Sequence, residues 1–504
     1  MECGYAWAAP PLTMADPHRA IREIRDPVHG FVKLTDAELA IINTPTFQRL
    51  RDVRQLAVAH LVYPGAVHTR FEHSIGCVHL SDLVLSLLLH NQQKGGRLTF
   101  GDALSMDPSA TERARGILRL ASLLHDLGHP PFSHSGEYLL PKWKDAAVLG
   151  EAPKGQEEKR VTHEDMTVYL IRESEIGDLI EKHYRNRGIS VEDVIAVAVK
   201  PGTVRGVKEA QPLLWVLHEI LTWDFGTDRM DYLLRDAHHS GQPTGVFDYR
   251  KLLDSLVLIE DTVAGGVIKM GIDGSGRLVA EQMVVARYLM YIALYFHKTK
   301  RVYEKHVERY LPHWTMERFG QQTLPVDAKS YSTLTESAVM ADVFRVARSP
   351  AVPGYRDCRP FIDRSHFRQA RELLLADNAR DVVVKYRTGE SAEEKEAVVE
   401  RNPDKRRLQA FTQAIVEKFD SDVIVDTADH SATKLFSRGT EVPVSVRGGV
   451  KYLGELSEIV RGMPARVWRC RVYAEAEKRE LVTKECDKWL NSHPVERILI
   501  NGNQ

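Results

Sequence analysis

Cysteine is scarce in this chain: five in 504 residues, Cys3, Cys77, Cys358, Cys470 and Cys486. None forms a CxxC pair, which argues against a disulfide framework or a cysteine-based zinc site and suits a reducing cytoplasm. Charge of one sign is missing too. With 68 basic and 69 acidic residues the net charge is −1, so nothing pulls the whole molecule toward nucleic acid or a membrane surface. Any phosphate-binding charge must be local. We find no run of about eighteen apolar residues suited to a bilayer, and expect no membrane partner. The start, Tyr5-Ala-Trp-Ala-Ala-Pro-Pro-Leu, lacks the basic leader of a signal peptide, so 1–20 reads as a disordered extension. There is no internal repeat and no low-complexity tract.

What is present divides at about residue 345. From 21 to 345 apolar residues recur at helical spacing, most clearly in 76–90, 114–127, 163–173, 212–222 and 282–296. A short hairpin is expected at Ile268–Leu278, turning on Asp273-Gly-Ser-Gly276, and 144–160 reads as an exposed polar insertion. From 346 to 504 the texture alternates. Strands are expected at 381–386, 422–426, 441–446 and 467–473, a closing helix at 477–491, and a charged mobile connection at 388–407. The expected fold is mainly α: a helical core with a smaller α+β C-terminal lobe.

The chemistry concentrates in Ser122-Leu-Leu-His-Asp-Leu-Gly-His-Pro-Pro-Phe-Ser-His134. Ile117, Leu120, Ala121 and Leu124 bury one helical face, and Gly128 and Pro130 stop the helix. His125 and Asp126 therefore stand at the end of a rigid platform. Upstream, 64–76 gathers His68, Arg70, Glu72 and His73. Downstream, 223–239 carries four acids with interleaved arginines. One histidine, the doublet and one aspartate make a mixed N/O set suited to Mn, Fe, Zn, Ni or Mg, without choosing among them. Each residue alone could equally be a hydrogen-bonded core histidine or a capping acid; the set could not.

The order His73…His125-Asp126…Asp228 resembles the HD phosphohydrolase superfamily. With Asp26-Pro-Val-His-Gly30, Phe47-Gln-Arg-Leu-Arg51, Gln55-Leu56 and Tyr288–His297 in register, the chain is similar to the HD-domain deoxynucleoside triphosphate triphosphohydrolases. The resemblance is strong over about 21–310 and fainter beyond. It implies an HD-domain helical core and hydrolysis of a dNTP at the α-phosphorus, giving deoxynucleoside and inorganic triphosphate. It implies that His73, His125, Asp126 and Asp228 hold a divalent metal ion that activates water.

The same resemblance places His129 and His134 at the α-phosphate. An imidazole suits protonation of the departing 5′ oxygen; His134 is preferred for proton transfer and His129 for positioning, with the exchange of roles open. His163, Glu164 and Glu137 fall at matching positions, as catalytic groups or as support. Arg70 and Arg229 have the fork geometry for phosphate oxygens. Tyr232 and Asp236 match groups that bind phosphate and sugar; the plain alternative is a helix surface with Arg235 and Asp236 paired. Gln55 and Leu56 match the pair packed on the deoxyribose, although Leu56 also reads as core. Tyr303 matches an aromatic near the base, followed here by Lys305 where the family has histidine.

The resemblance further implies a nucleotide activator bound between subunits of a homo-oligomer, a dimer of dimers. Asn43 replaces the aspartate that would read guanine, and an amide cannot accept both guanine N–H groups as a carboxylate does. Gln48, Arg49 and Arg51, with Arg22 and Arg25, keep a positive surface, unless 48–51 is simply a charged helix face. No SAM domain is expected ahead of residue 21. A related HD phosphohydrolase acting on another nucleotide or on single-stranded nucleic acid is the alternative reading.

Overall fold

The computed structural model describes residues 21–90, 107–199, 212–261, 267–378, 403–430, 442–493 and 499–500. The expected extension at 1–20, the strand at 381–386 and the charged connection up to residue 402 lie outside the described residues.

The chain opens with a hairpin, β1 (Ile21–Asp26) and β2 (Gly30–Thr35), paired antiparallel. Helical spacing does not foresee it. The strands are only six residues long, and alternation shows chiefly in buried Val32 and Leu34. Its turn is built by Asp26, whose Oδ1 accepts from the Val28 and His29 amides at 2.9 and 2.8 Å, and by Gly30 at φ 79°.

Two helices form the centre. In α2 (Arg70–His90) apolar or small residues occupy every side, so the helix is surrounded rather than amphipathic. Beside it α3 (Pro108–Leu124) starts at the Asp107 cap, which accepts from Ala110 at 2.7 Å, and ends one residue before His125. Around them stand α1 (Asp36–Ile42), α4 (His163–Glu173), α5 (Pro212–Thr222), α6 (Thr227–Ser240), α7 (Arg277–Met290), α8 (Lys298–Phe319) and α9 (Glu336–Val346). Between α7 and α8, Tyr291–Tyr295 winds as a π-turn. The mainly helical core and smaller α+β lobe are as the sequence indicates.

By length and composition two helices could cross a membrane, Arg70–Leu89 and Gly274–Tyr295, contrary to the expectation that no such run exists. Each tolerates a few charges that break the run for the eye. The first is the central helix of the core and is mostly buried.

The hairpin expected at 268–278 is corrected. Strand β4 (Val267–Asp273) exists, but it pairs backward with β3 (Leu256–Asp261), and Gly274–Gly276 leads directly into α7. Asp273 accepts from Ser275 and turns the chain into a helix instead of a return strand. The sheet continues β3-β4-β7-β8, where β7 (Pro443–Val446) and β8 (Gly449–Tyr452) come from far along the chain. Val442, Val444, Leu453 and Val460 accordingly pack in the main core. The rest of the lobe is a second sheet, β10-β5-β9-β6, of β5 (Arg368–Asn378), β6 (Val423–His430), β9 (Pro464–Ala474) and β10 (Leu499–Ile500). Helices α10 (Pro403–Phe419) and α11 (Arg479–Ser492) cover it through Phe411, Ile415, Val482 and Cys486.

One buried ion pair ties the hairpin end to the central helices. Arg119 of α3 grips Glu38 of α1 with two bonds of 2.7 and 2.8 Å, donates to the Lys33 carbonyl at 2.8 Å and faces Asp82 of α2 at 3.2 Å. Removing one partner leaves a buried charge uncompensated. Arg119→Leu is therefore expected to cost about 3–5 kcal/mol in denaturant unfolding, and a loss below about 1 kcal/mol would contradict this account.

Candidate metal centre and the histidine loop

Helix α2 contributes His73 to the centre and α6 contributes Asp228, while His125 and Asp126 follow the last turn of α3. His73 Nε2 lies 3.2 Å from Asp228 Oδ1 and 3.5 Å from Asp126 Oδ2. His125 Nε2 lies 3.6 Å from Asp126 Oδ1 and 3.8 Å from Asp228 Oδ1. Both imidazoles are fixed in the tautomer a ligand needs. His125 Nδ1 donates to the Ser122 carbonyl at 2.9 Å, and its buried Nε2 has no hydrogen-bond partner. His73 Nδ1 donates to Asp231 Oδ2 at 2.8 Å. The imidazole lone pairs of His73 and His125 converge with the Asp228 carboxylate, their ligand atoms and the Cys77 sulfur lying within 4.8 Å of one another, and Asp126 stands beside them; the set fits a divalent cation.

Charge tells the same story. Burial opposes the imidazolium of His73, but the adjoining Cys77 sulfur and the facing carboxylates of Asp228 and Asp231 outweigh it and raise its pKa; Asp126 and Asp228 do the same for His125. Despite burial, Arg70 and the neighbouring histidines keep Asp126 ionised, and His125 and His73 keep Asp228 so. Cys77, 3.7 Å from the His73 ring, is pushed up to about 12 by burial and stays a thiol.

Sequence reasoning missed the layer behind His73. Asp231 is held by Arg235 through bonds of 2.8 and 2.9 Å, and by His29 Nε2 at 2.6 Å. Arg235 reaches on to Asp26 at 2.7 Å. Gly76 makes room: a Cβ there would come within 1.9 Å of Asp231 Oδ1. The signal was available, since Asp231 and Arg235 follow Asp228 at helical intervals of three and seven. Arg235 pairs with Asp231 and Asp26, so the Arg235–Asp236 surface pair considered as an alternative does not form.

Across Asp126 lies a second group. His129 Nε2 is 3.4 Å from Asp126 Oδ1, and its ring stacks on His163 with centroids 3.9 Å apart. Glu137 Oε1 is 2.6 Å from His134 Nδ1 and 2.9 Å from His163 Nδ1, while Glu164 stands 3.6 Å from His163 and is largely exposed. Burial and then Arg70 hold His129 neutral; His163 is raised, Glu137 outweighing burial. His134 is three-quarters exposed and hydrogen-bonds to Glu137.

The loop carrying His134 is strained. Phe132 and Ser133, neither of them glycine, sit at φ 63° and 54°, at about 1–3 kcal/mol each. Distant residues hold it. Buried Glu336 accepts from the Phe132 and Arg54 amides at 3.0 and 2.9 Å. Ser133 Oγ donates to the Arg54 carbonyl and accepts from Arg70 Nε, both at 2.8 Å, and Arg70 also pairs with Asp126. Arg49 donates to the carbonyls of His129 and Leu127 at 2.8 and 2.6 Å. Arg49 is thus a buried brace, not part of a charged surface.

The other expected residues lie as follows. Arg229 is tied to Asp224 at 2.8 Å, and Asp224 also faces Arg287 at 3.3 Å. Tyr232 has its hydroxyl pKa raised by burial. Asp236 is engaged on both oxygens, by His68 at 2.8 Å and Tyr295 of the π-turn at 2.6 Å. Gln55 keeps a buried Oε1 with no partner, and Leu56 is in the core. Tyr303 is fully buried, its hydroxyl on the Pro360 carbonyl at 3.1 Å and its ring between Phe361 and His366. Arg22, Arg25, Asn43 and Arg51 are exposed, with Arg51 over the Phe71 ring and bonded to Gln48 at 2.8 Å.

Fold and centre define a class, and residues 70–212 match the family model described as HD domain. Over that stretch the chain is similar to HD domains. It is similar to an uncharacterized protein of Methanocaldococcus jannaschii, 26% identical over 461 residues, covering 91% of this chain and 80% of that one. It is also similar to a deoxynucleoside triphosphate triphosphohydrolase SAMHD1 homolog of Dictyostelium discoideum, 30% identical over 243 residues. That match covers 48% of this chain and only 40% of the relative's length. Among solved structures, a hypothetical protein from Aquifex aeolicus aligns with TM-score 0.64 and 27% identity over 92% of this chain and 100% of that chain.

Two outcomes follow. Asp231→Asn should weaken divalent-metal affinity by about 10–100-fold in equilibrium dialysis, and unaltered affinity would detach Asp231 from the centre. Burial raises Glu336 to about 8 from 4.5, so the folded protein keeps a proton that the unfolded chain releases, and stability falls as pH rises through that window. Glu336→Gln should flatten this slope while keeping the loop. Glu336→Ala orphans two amides and should cost about 2–4 kcal/mol. Equal pH slopes in wild type and Glu336→Gln would refute the assignment.

Proposed function

We propose that this protein is a dNTP triphosphohydrolase, cleaving deoxynucleoside triphosphates to deoxynucleoside and inorganic triphosphate. The observation that carries the reading is the meeting of His73, His125, Asp126 and Asp228 beside a loop of imidazoles, with Arg70 between the two. The SAMHD1 homolog's name adds the substrate class. A divalent ion held by those four residues supplies Lewis acidity toward the α-phosphoryl group and lowers the pKa of water.

The chain's own groups account for the remainder. Water adds to the α-phosphorus and releases a proton as the bond to the 5′ oxygen breaks; that oxygen gains a proton, and the one released from water restores the donor. We assign delivery of that oxygen's proton to His134, which is exposed and hydrogen-bonded to Glu137, with His163 close to the same carboxylate. Arg70 keeps Asp126 and Ser133 in one frame, and His129 carries the Asp126 contact into the loop. Gln55, with its unpartnered buried oxygen, and Leu56 are the groups we assign to the deoxyribose. Asp236 and Tyr232 line the same assignment, and Arg229 is given to phosphate at the expense of its bond to Asp224. Tyr303 we assign to shaping the base end from within the core.

Activation and assembly belong to the same reading. The exposed hairpin arginines Arg22 and Arg25, with Asn43, Gln48 and Arg51, form the surface we assign to an activating nucleotide within a dimer of dimers. Four buried free thiols among the described residues suit a cytoplasmic setting.

The test is product analysis over a matrix of metals and nucleotides, with and without GTP and each dNTP as activator. Release of intact triphosphate from a dNTP is expected, and His125→Ala/Asp126→Ala should lower turnover at least 1,000-fold, about 4 kcal/mol in barrier. Inactivity toward every dNTP, with hydrolysis of another nucleotide or of single-stranded nucleic acid, would replace this reading by the alternative.

A further inference from the structure

From His129, His134, Glu137 and His163 we infer a second cation site in this protein, one that takes a zinc-class divalent ion and is separate from the HD centre. Their ligand atoms all lie within 4.8 Å of one another. Three imidazoles and one carboxylate are a donor set that tetrahedral zinc accepts.

Proximity alone would not carry this, because histidines also gather around a glutamate to hydrogen-bond it. Two details of orientation do. His129 is 1% exposed. Its Nε2 faces Asp126 Oδ1 at 3.4 Å, and a carboxylate oxygen is the acceptor of that contact, so the ring proton belongs on Nε2. That leaves a lone pair on Nδ1, which is buried, has no hydrogen-bond partner and lies 3.7 Å from Glu137 Oε1. A lone pair facing a carboxylate oxygen is two acceptors looking at one gap, and a cation resolves it.

The second detail concerns His163. Its Nδ1 is buried and only 2.9 Å from Glu137 Oε1, yet it makes no aligned hydrogen bond. The nitrogen is near the oxygen but not directed at it, as expected when donor atoms converge on a common point. His134 closes the set from the solvent side, where its exposure gives an ion a way in. The Asp126–His129 contact is the carboxylate–histidine support that orients metal-binding imidazoles. Arg70 opposes a cation there, and it is already paired with Asp126.

The site shares no ligand with His73, His125 and Asp228. Filling it would occupy the imidazoles that the proposed hydrolysis needs free, so zinc-class ions in excess would inhibit. The binding itself does not depend on that hydrolysis being correct.

Zinc binding to the full chain, followed by equilibrium dialysis with elemental analysis, tests the inference without any substrate. Wild type should take two equivalents per chain. His134→Ala, at an exposed position, and Glu137→Gln should each weaken one equivalent at least tenfold and leave the other unchanged. His125→Ala should weaken only the other one. Circular dichroism identifies any variant that fails to fold, and His134→Ala, truncated at the surface, keeps the test valid if a buried variant does. One equivalent in wild type would overturn the inference, and so would two equivalents that are both indifferent to His134→Ala and Glu137→Gln. An inactive protein that still binds two ions would reject the proposed hydrolysis and retain this site.

Discussion

A single buried carboxylate organises the molecule's centre. Asp231 is wholly enclosed and ionised, and a charge in that position is tolerable only when every lone pair is met. Arg235 meets it in fork geometry, His29 from the hairpin turn and His73 from the central helix. Three chain segments remote in sequence are thereby brought to one point. The His73 tautomer is a consequence: with Nδ1 committed to Asp231, only Nε2 can face Asp126 and Asp228. The close approach of α2 to α6 in turn needs a glycine at 76, where any side chain would displace the carboxylate.

A second constraint acts on the opposite side of Asp126. The Pro130–His134 loop holds consecutive left-handed residues that local interactions would not select. Its shape is imposed by groups from the far ends of the domain, Arg49 beneath the His129 and Leu127 carbonyls and Glu336 on the Phe132 amide. Tyr331 adds its hydroxyl to the Gly128 carbonyl at 2.7 Å. Such a loop is rigid because its braces are buried. That rigidity lets an exposed histidine stay in hydrogen-bond reach of Glu137.

The helical core was legible because α3, α4 and α5 bury one face and repeat at three and four residues, and the centre was legible because His125-Asp126 is so poor a core dipeptide. The strands β6, β7 and β9 were legible from alternation. What escaped was set by distance. The first hairpin is short and finds its role only against Asp231. The strand at 267 pairs backward, a choice made by β7 arriving from residue 443, which no local pattern announces. Arg49 reads as a surface charge in Gln-Arg-Leu-Arg, because burial of an arginine depends on which carbonyls the fold leaves unpaired. Glu336 has no motif at all.

Asp126 is the element common to both halves. Its Oδ2 faces His73 and Arg70, and its Oδ1 faces His125 and His129. A shorter or neutral side chain there would undo two geometries at once. An amide would offer protons to imidazole nitrogens that are themselves meant to donate or to bind a cation, and a longer acid would push against rings already locked by Ser122 and Asp231. The doublet is therefore more than two adjacent ligands. His125 serves one centre alone, whereas Asp126 faces His73 and His125 on one side and His129 on the other. The two groups of imidazoles are linked through that one carboxylate.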